Sequence, residues 1–137
     1  MASRLNPYLN FQGNARQAAE FYQGVFGGDL RLMTFGDVDP NACDIATQIM
    51  HGQLETPAGY TLMLSDLPPG MPHNPGNNIT VSLSGEGPDG DVLRGYWEKL
   101  SGSGTVTVPL DKQMWGDEFG ACIDRFGIPW MVNIRVA

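Results

Sequence analysis

The chain has 137 residues, a length typical of one domain or of two small modules that share a core. Its 15 acidic and 8 basic residues give a formal net charge of −7, and the basic residues are scattered singly. This balance argues against nucleic-acid backbones and anionic membranes as partners, and no apolar run has the length of a membrane span. Two cysteines make no disulfide framework, and no signal-peptide pattern is present, so we expect a cytoplasmic protein.

The first half of the chain predicts one helix among four strands. Within GNARQAAEFYQGVFGG, Asn14 is suited to cap a helix, and Gln17 stands three residues later, as in a capping box. Apolar residues then recur at helical spacing, and Gly27 ends the helix. One strand precedes the helix in RLNPYLNF, and three follow it in DLRLMTFG, IATQIMHGQLE and AGYTLMLSD. The predicted order is β-α-β-β-β.

The second half repeats this order. NNITVSLS predicts a strand, residues 88–100 predict a helix, and GTVTVPL, DEFGACID and IPWMVNIR predict three more strands. Such self-similarity indicates two copies of one supersecondary unit, although two unrelated amphipathic units could also give it. We therefore predict an α+β fold in which residues 1–137 form a single domain, with a first module (about 4–66), a linker (67–76) and a second module (77–137).

Each predicted strand has an apolar and a semi-polar face. The apolar faces, which include Ile79, Val106, Val108 and Trp130, are expected to pack under the helices. The semi-polar faces combine uncharged polar groups with thioethers and aromatic rings, which favours a concavity for a small organic ligand over a merely solvated surface. The predicted lining is Tyr8, Asn10, Met63, Thr80, Met131 and Asn133. Trp115 is expected at the mouth, although its ring could instead plug the end of the sheet.

His51, on the predicted third strand, is the candidate catalytic residue. Imidazole titrates near neutrality, so it can transfer protons as an acid or a base. Gln53 and Glu55 share its strand face and are candidate neighbours. The alternative is a histidine that only satisfies hydrogen bonds on a half-buried strand.

The acidic residues and the cysteine near the C-terminus are predicted to be structural. Asp124 begins the stretch DRFG, which suits a tight turn. Asp117 and Glu118 are expected at bends or rims. Cys122 has no local base that would make it a nucleophile, so we expect a small buried side chain.

The stretches NPYLNFQGNARQAAEFYQGVFGG, IMHGQLE, LMLSD, KQMWGDEFG and DRFGIPWMVN resemble the PhnB-like branch of the glyoxalase/bleomycin-resistance, or vicinal oxygen chelate, superfamily. The resemblance covers nearly the whole chain, and the Phe-Gly-x-x-Trp spacing is its most specific part. It implies two βαβββ modules that form a curved mixed β-sheet, or half-barrel, with helices on the outer face. It also implies a homodimer. Some members carry a methyltransferase label, but this sequence has no Gly-rich nucleotide loop after a strand.

The same resemblance implies a site for one divalent metal. Superfamily enzymes hold it through His, Gln or Glu on the first, fourth, fifth and eighth strands. The matching positions are Asn6, Met63, Asn78 and Met131. Divalent cations prefer carboxylate, imidazole or thiolate donors. We therefore predict that neither a metal nor another cofactor is bound.

The resulting hypothesis is a cytoplasmic glyoxalase/bleomycin-resistance-like protein that binds a small organic ligand in a concave pocket. No nucleic acid or membrane partner is expected. One alternative is a metal-dependent lyase or dioxygenase of the same superfamily, with ligands that include His51. Another is a non-catalytic dimeric module whose pocket is vestigial.

Overall fold

The computed structural model describes residues 3–135, and the chain divides between Asn74 and Pro75 into two compact units. We call the part before this division unit 1 and the part after it unit 2. Each unit contains one four-stranded mixed sheet. Among the described residues, no helix is both long enough and apolar enough to cross a membrane.

Unit 1 has the predicted order with one added helix. Its elements are β1 (Tyr8–Phe11), α1 (Ala15–Phe26), β2 (Asp29–Thr34), a short α2 (Phe35–Val38), β3 (Ile49–Glu55) and β4 (Thr61–Asp66). The strand order in the sheet is β1-β4-β3-β2, with β1 parallel to β4 and the other pairs antiparallel. The short helix α2 was not predicted. It begins with a capping box in which Thr34 and Asp37 exchange hydrogen bonds.

Unit 2 repeats this topology. Its elements are β5 (Val81–Glu86), α3 (Gly90–Gly102), β6 (Thr105–Lys112), β7 (Glu118–Ile123) and β8 (Pro129–Arg135). The strand order is β5-β8-β7-β6, with β5 parallel to β8. The predicted α+β fold of two β-α-β-β-β repeats is therefore confirmed.

In unit 1, helix α1 packs on one face of the sheet and contacts β2, β3 and β4. Its buried side chains recur at helical spacing: Ala15, Ala18, Ala19, Tyr22, Val25 and Phe26. The strands bury Leu9, Leu54, Leu62 and Leu64. Alternation along the strands turns the intervening side chains to the opposite face, which we call the distal face of unit 1.

In unit 2, helix α3 packs closely on the sheet, and two glycines lie beneath its side chains. A Cβ atom on Gly120 would lie 2.9 Å from the Trp97 ring and 2.8 Å from the Leu110 Cα atom. A Cβ atom on Gly85 would lie 2.9 Å from a methyl group of Leu93. We call the sheet face opposite α3 the distal face of unit 2.

A buried carboxylate ties unit 1 together. Asp66, at the end of β4, is 1% exposed. Its Oδ1 accepts the backbone N–H groups of Gly13 (2.7 Å) and Ala15 (3.0 Å), and its Oδ2 accepts that of Ile49 (2.9 Å). The first turn of α1 is thus capped by Asp66 from across the fold, and not by the predicted capping box of Asn14 and Gln17.

A second buried carboxylate organises the turn between β7 and β8. Asp124 Oδ1 accepts the backbone N–H groups of Phe126 (2.8 Å) and Ile128 (3.1 Å). Its Oδ2 accepts the indole N–H of Trp130 (2.8 Å), whose ring is 1% exposed. Asp124 therefore holds the turn and orients the largest buried side chain of unit 2.

Part of the predicted apolar face in unit 2 is exposed. Ile79 is 76% exposed and precedes β5, so no ladder holds it against the sheet. Val106 and Val108 are 45% and 36% exposed. They lie on β6, which pairs only with β7 in this sheet and shifts register between the two valines. The expectation that these three side chains pack under a helix is wrong.

The role of Asp66 can be tested by Asp66→Asn. The amide replaces one acceptor oxygen by a donor, so at least one buried backbone N–H loses its acceptor, which costs about 1–3 kcal/mol. We expect the free energy of unfolding, measured by chemical denaturation, to fall by about that amount. Asp29→Asn, an exposed change in the same unit, is the matched control and should stay within about 0.5 kcal/mol of wild type. Equal midpoints for the two variants would contradict the role of Asp66.

The role of Trp130 can be tested by Trp130→Ala. Removal of a buried indole is expected to lower the free energy of unfolding by about 3–5 kcal/mol. Trp115→Ala, at a ring that is 60% exposed, is the control and should change it far less. A denaturation midpoint of Trp130→Ala at the wild-type value would show that the face assignment of β8 is wrong.

Candidate functional site

The distal face of unit 1 brings together four of the predicted site residues. Tyr8 pairs with Met63 across β1 and β4, and Met63 pairs with Gln53 across β4 and β3. Asn10 follows two residues after Tyr8 and is also exposed, beside Ser65 of β4. His51 lies on β3, two residues before Gln53, and is partly buried. Their proximity follows from strand pairing and alternation.

A chain of hydrogen bonds runs across this face. The Tyr8 hydroxyl lies 3.3 Å from His51 Nδ1, and His51 Nε2 lies 3.4 Å from Gln53 Oε1. Gln53 Nε2 donates to Glu55 Oε1 at 2.6 Å, and the Thr61 hydroxyl donates to Glu55 Oε2 at 2.7 Å. We call the set Tyr8, His51, Gln53 and Glu55 the polar chain.

The carboxylate end of the polar chain is held ionised by its donors. The Thr61 hydroxyl, then the Gln53 amide, lowers the pKa of Glu55 below its ordinary value, and the charges of Arg4 and Arg31 act in the same direction. Because the folded pKa lies below the unfolded one, this contribution to stability is present at neutral pH. It is lost as the pH falls through the folded pKa.

The distal face of unit 2 carries two more of the predicted residues. Met131 pairs with Ser82 and Ala121, and Asn133 pairs with Ser84 and Phe119. Both Met131 and Asn133 are partly buried. These side chains lie opposite Trp130 and its buried neighbours on β8, as strand parity predicts.

The loop between β6 and β7 lies at one end of this face. Asn133 Nδ2 donates to Asp117 Oδ2 at 3.0 Å, and the Trp115 ring meets the Phe119 ring edge-on, with centroids 6.1 Å apart. Gln113 N and Asp117 O close the loop at 2.8 Å. Asp117 therefore anchors the loop, while Trp115 keeps an exposed indole beside Phe119.

Three predicted positions fall outside the strands. Asn6 precedes β1, and Thr80 and Asn78 precede β5. Pro7 lacks an N–H, so the ladder with β4 begins with its carbonyl, which accepts from Met63 N at 3.1 Å. Thr80 and Asn78 are exposed. The expectation that Asn6, Asn78 and Thr80 stand on strand faces is wrong, because both strands begin later than their apolar residues suggested.

The residues present do not fit the divalent metal that the superfamily implies. The matching positions hold two amides, Asn6 and Asn78, and two thioethers, Met63 and Met131. Within residues 3–135, no three His, Cys, Asp or Glu side chains are grouped so that they could hold a metal ion. Amide oxygen and thioether sulfur are weak donors for such cations.

Two other side chains with reactive groups, Cys122 and Glu118, have structural roles. Burial, and then the charge of Asp124, raises the pKa of the Cys122 thiol to about 11, so it is protonated at neutral pH and a poor nucleophile. Glu118 forms an ion pair with Arg94, whose hydrogen bond lowers the pKa of the glutamate.

A separate cavity of about 320 Å³ lies in unit 1. It is formed by loops and lined by Gln12, Gly13, Ile45, Gln48, Leu67, Pro68, Pro69, Gly70 and Met71. None of the predicted ligand residues lines it, and part of its wall comes from the predicted linker. The polar chain, by contrast, combines a titratable ring with exposed polar groups. We therefore place the candidate site on the distal face and treat the cavity as its competitor.

Gln53 and Glu55 join His51 in one hydrogen-bonded row, whereas the sequence indicated only that they are neighbours. The signal was their alternation with His51 in IMHGQLE, which places all three on one strand face. Arg4 and Thr61 were missed as members. Arg4 donates to the Thr61 hydroxyl at 3.3 Å and lies 3.7 Å from Glu55. The positions of Arg4 and Glu55 in the sequence gave no sign of this contact, because the two residues meet only in the folded chain, at Thr61 of β4.

Comparison with known proteins identifies relatives across the whole chain. The family model described as 3-demethylubiquinone-9 3-methyltransferase matches residues 3–133. The crystal structure of protein PA1353 from Pseudomonas aeruginosa is 33% identical, covers 99% of this chain and 100% of its own, and has a TM-score of 0.85.

More distant structures share the fold. A putative 3-demethylubiquinone-9 3-methyltransferase, PhnB protein, from Bacillus cereus is 19% identical over 96% of this chain and 99% of its own, with a TM-score of 0.70. A bleomycin resistance determinant encoded on the transposon Tn5 is 15% identical over 98% of each chain, with a TM-score of 0.59. The PhnB protein and the bleomycin resistance determinant thus share the fold of this chain. The chain itself belongs to the family described as 3-demethylubiquinone-9 3-methyltransferase.

Proposed function

We propose that this protein binds a small organic ligand on the distal face of unit 1, with Tyr8 and His51 as its polar contacts. The observation that carries the proposal is the polar chain, which ends in a Tyr8 side chain that is 46% exposed. The Tyr8 end of the polar chain is therefore open to a molecule that arrives from solvent.

The surrounding side chains suit a flat or carbonyl-bearing molecule. The Tyr8 ring and the Met63 thioether offer apolar contact area, and the Asn10 amide offers a donor and an acceptor. Arg31, which pairs with Gln53 across β2 and β3, adds a positive charge on the same face. Such a mixture orients a ligand through a few polar groups and binds it mainly through contact.

Unit 2 carries four further proposed ligand contacts of its own. Met131 and Asn133 on its distal face, together with Thr80 and Trp115, are proposed to contact a ligand of that unit through thioether, amide, hydroxyl and indole groups. A cytoplasmic location is proposed from cysteine usage, and a homodimer from the family resemblance. Sedimentation of the purified protein tests the second point.

A thermal-shift screen of small carbonyl and phenolic compounds tests the ligand site. A compound that binds the folded state raises the melting temperature, by the equivalent of about 2.7 kcal/mol at 100 times its dissociation constant. We expect a compound that stabilises wild type to lose most of its effect in His51→Ala and Tyr8→Ala.

Gln48→Ala is the matched control, since Gln48 lines the competing cavity of unit 1. The ligand shift should persist in this variant. A shift that is lost in Gln48→Ala and kept in both His51→Ala and Tyr8→Ala would place the ligand in the cavity and overturn the proposal.

Elemental analysis of purified, dialysed protein tests the metal prediction. Because the four matching positions offer only amide and thioether donors, we expect far less than one divalent ion per chain. About one zinc, nickel, manganese or iron ion per chain would contradict this expectation and support the metal-dependent alternative. His51→Ala then shows whether His51 is a ligand, by loss of that metal.

A further inference from the structure

The hydrogen bonds of the polar chain run in one donor-to-acceptor direction, and the Glu55 carboxylate at its end sets that direction. An ionised carboxylate can only accept hydrogen bonds. Both oxygens of Glu55 do so, from the Thr61 hydroxyl at 2.7 Å and from Gln53 Nε2 at 2.6 Å. The Gln53 amide therefore turns its NH₂ group towards Glu55 and its oxygen towards His51.

The direction continues through the imidazole ring. An amide oxygen only accepts, so His51 Nε2, 3.4 Å from Gln53 Oε1, is the ring nitrogen that carries hydrogen. A neutral imidazole has one N–H, so Nδ1 holds the lone pair. The Tyr8 hydroxyl, 3.3 Å away, therefore donates to Nδ1.

We infer that Glu55, acting through Gln53, is a positioning residue that fixes His51 in its Nε2–H form and makes Nδ1 the basic atom beside the Tyr8 hydroxyl. The use of this atom rests on the proposed function. The tautomer itself is a property of the ligand-free protein, so it can be tested separately.

This polarity suits a ligand with a weakly acidic O–H group. The ligand passes its proton to the Tyr8 oxygen while the Tyr8 proton moves to His51 Nδ1, which leaves a ligand anion and an imidazolium. The imidazolium then donates from Nδ1 to Tyr8 and from Nε2 to Gln53, and the negative charge of Glu55 favours it. The exposed Tyr8 hydroxyl is the group that such a ligand meets.

Ring-nitrogen NMR of histidine-labelled protein tests the inference directly. The chain has two histidines, His51 and His73, so the spectrum holds two imidazole rings. At mildly alkaline pH, about two units above the ordinary imidazole pKa of about 6.5, the shifts report the tautomer of the neutral ring. Free histidine already favours Nε2–H, so the denatured protein is the reference. We expect the fraction of His51 rings in the Nε2–H form, here called the Nε2–H share, to be larger in the folded protein than in the denatured one.

Two variants change the direction of the chain. Gln53→Lys places a donor against Nε2, so we expect the majority form of His51 to reverse to Nδ1–H. Gln17→Lys makes the same change at an exposed position of α1 and should leave the tautomer unchanged. Glu55→Gln removes the obligatory acceptor, and the Nε2–H share should fall to the denatured value.

Tyr8→Phe tests which end sets the polarity. Because the direction comes from Glu55, the Nε2–H form should persist without the Tyr8 hydroxyl. The inference is overturned if wild-type His51 shows the denatured share, if folded Glu55→Gln keeps the wild-type share, or if Tyr8→Phe alone abolishes the preference. Circular dichroism establishes that each variant is folded. If Gln53→Lys does not fold, the tautomer measured in Glu55→Gln decides the test. An intact tautomer with no ligand-induced thermal shift would count against the proposed function and leave the positioning role in place.

Discussion

The fold of unit 1 depends on the three backbone hydrogen bonds that one buried carboxylate accepts. Asp66 joins the end of β4 to the first turn of α1 and to the first residue of β3. These bonds fix which sheet face lies under the helix and where β3 begins. Alternation along β3 turns His51, Gln53 and Glu55 to the distal face, opposite the buried Leu54. A register shift in the pairing of β2 with β3 separates this row from Ile49, which is buried.

The chemistry of the site follows from the same alternation. Side chains two residues apart on β3 lie close enough to hydrogen-bond, and β1 and β4 add Tyr8 and Thr61 at the two ends of that row. A carboxylate anchored at one end gives every donor and acceptor in the row a defined orientation. The family description names a methyl-transfer activity, whereas our proposal for this chain is ligand binding with proton transfer. The amides and thioethers at the superfamily's metal positions agree with that interpretation.

The repeat, the two long helices α1 and α3 and the apolar face of β8 could be predicted from the sequence because each rests on local periodicity. Trp130 is buried as its parity with Val132 indicates. Contacts between distant segments left no such signal. The capping box suggested at Asn14 is replaced by Asp66, 52 positions later in the chain. A capping box forms instead at Thr34 and Asp37. Strand starts were also misplaced, because Pro7 and the segment before Val81 look extended in sequence but do not complete a ladder. The alternation of His51, Gln53 and Glu55 was visible, whereas its continuation to Tyr8 depends on strand pairing.

In our proposal, the distal face of unit 1 receives the ligand. The most direct measurement is a crystal structure of the protein with a compound that stabilises it in the thermal screen. We expect ligand density within hydrogen-bond distance of the Tyr8 hydroxyl or of His51, in contact with Met63. Density confined to the loop cavity beside Gln12, Gln48 and Met71 would contradict it.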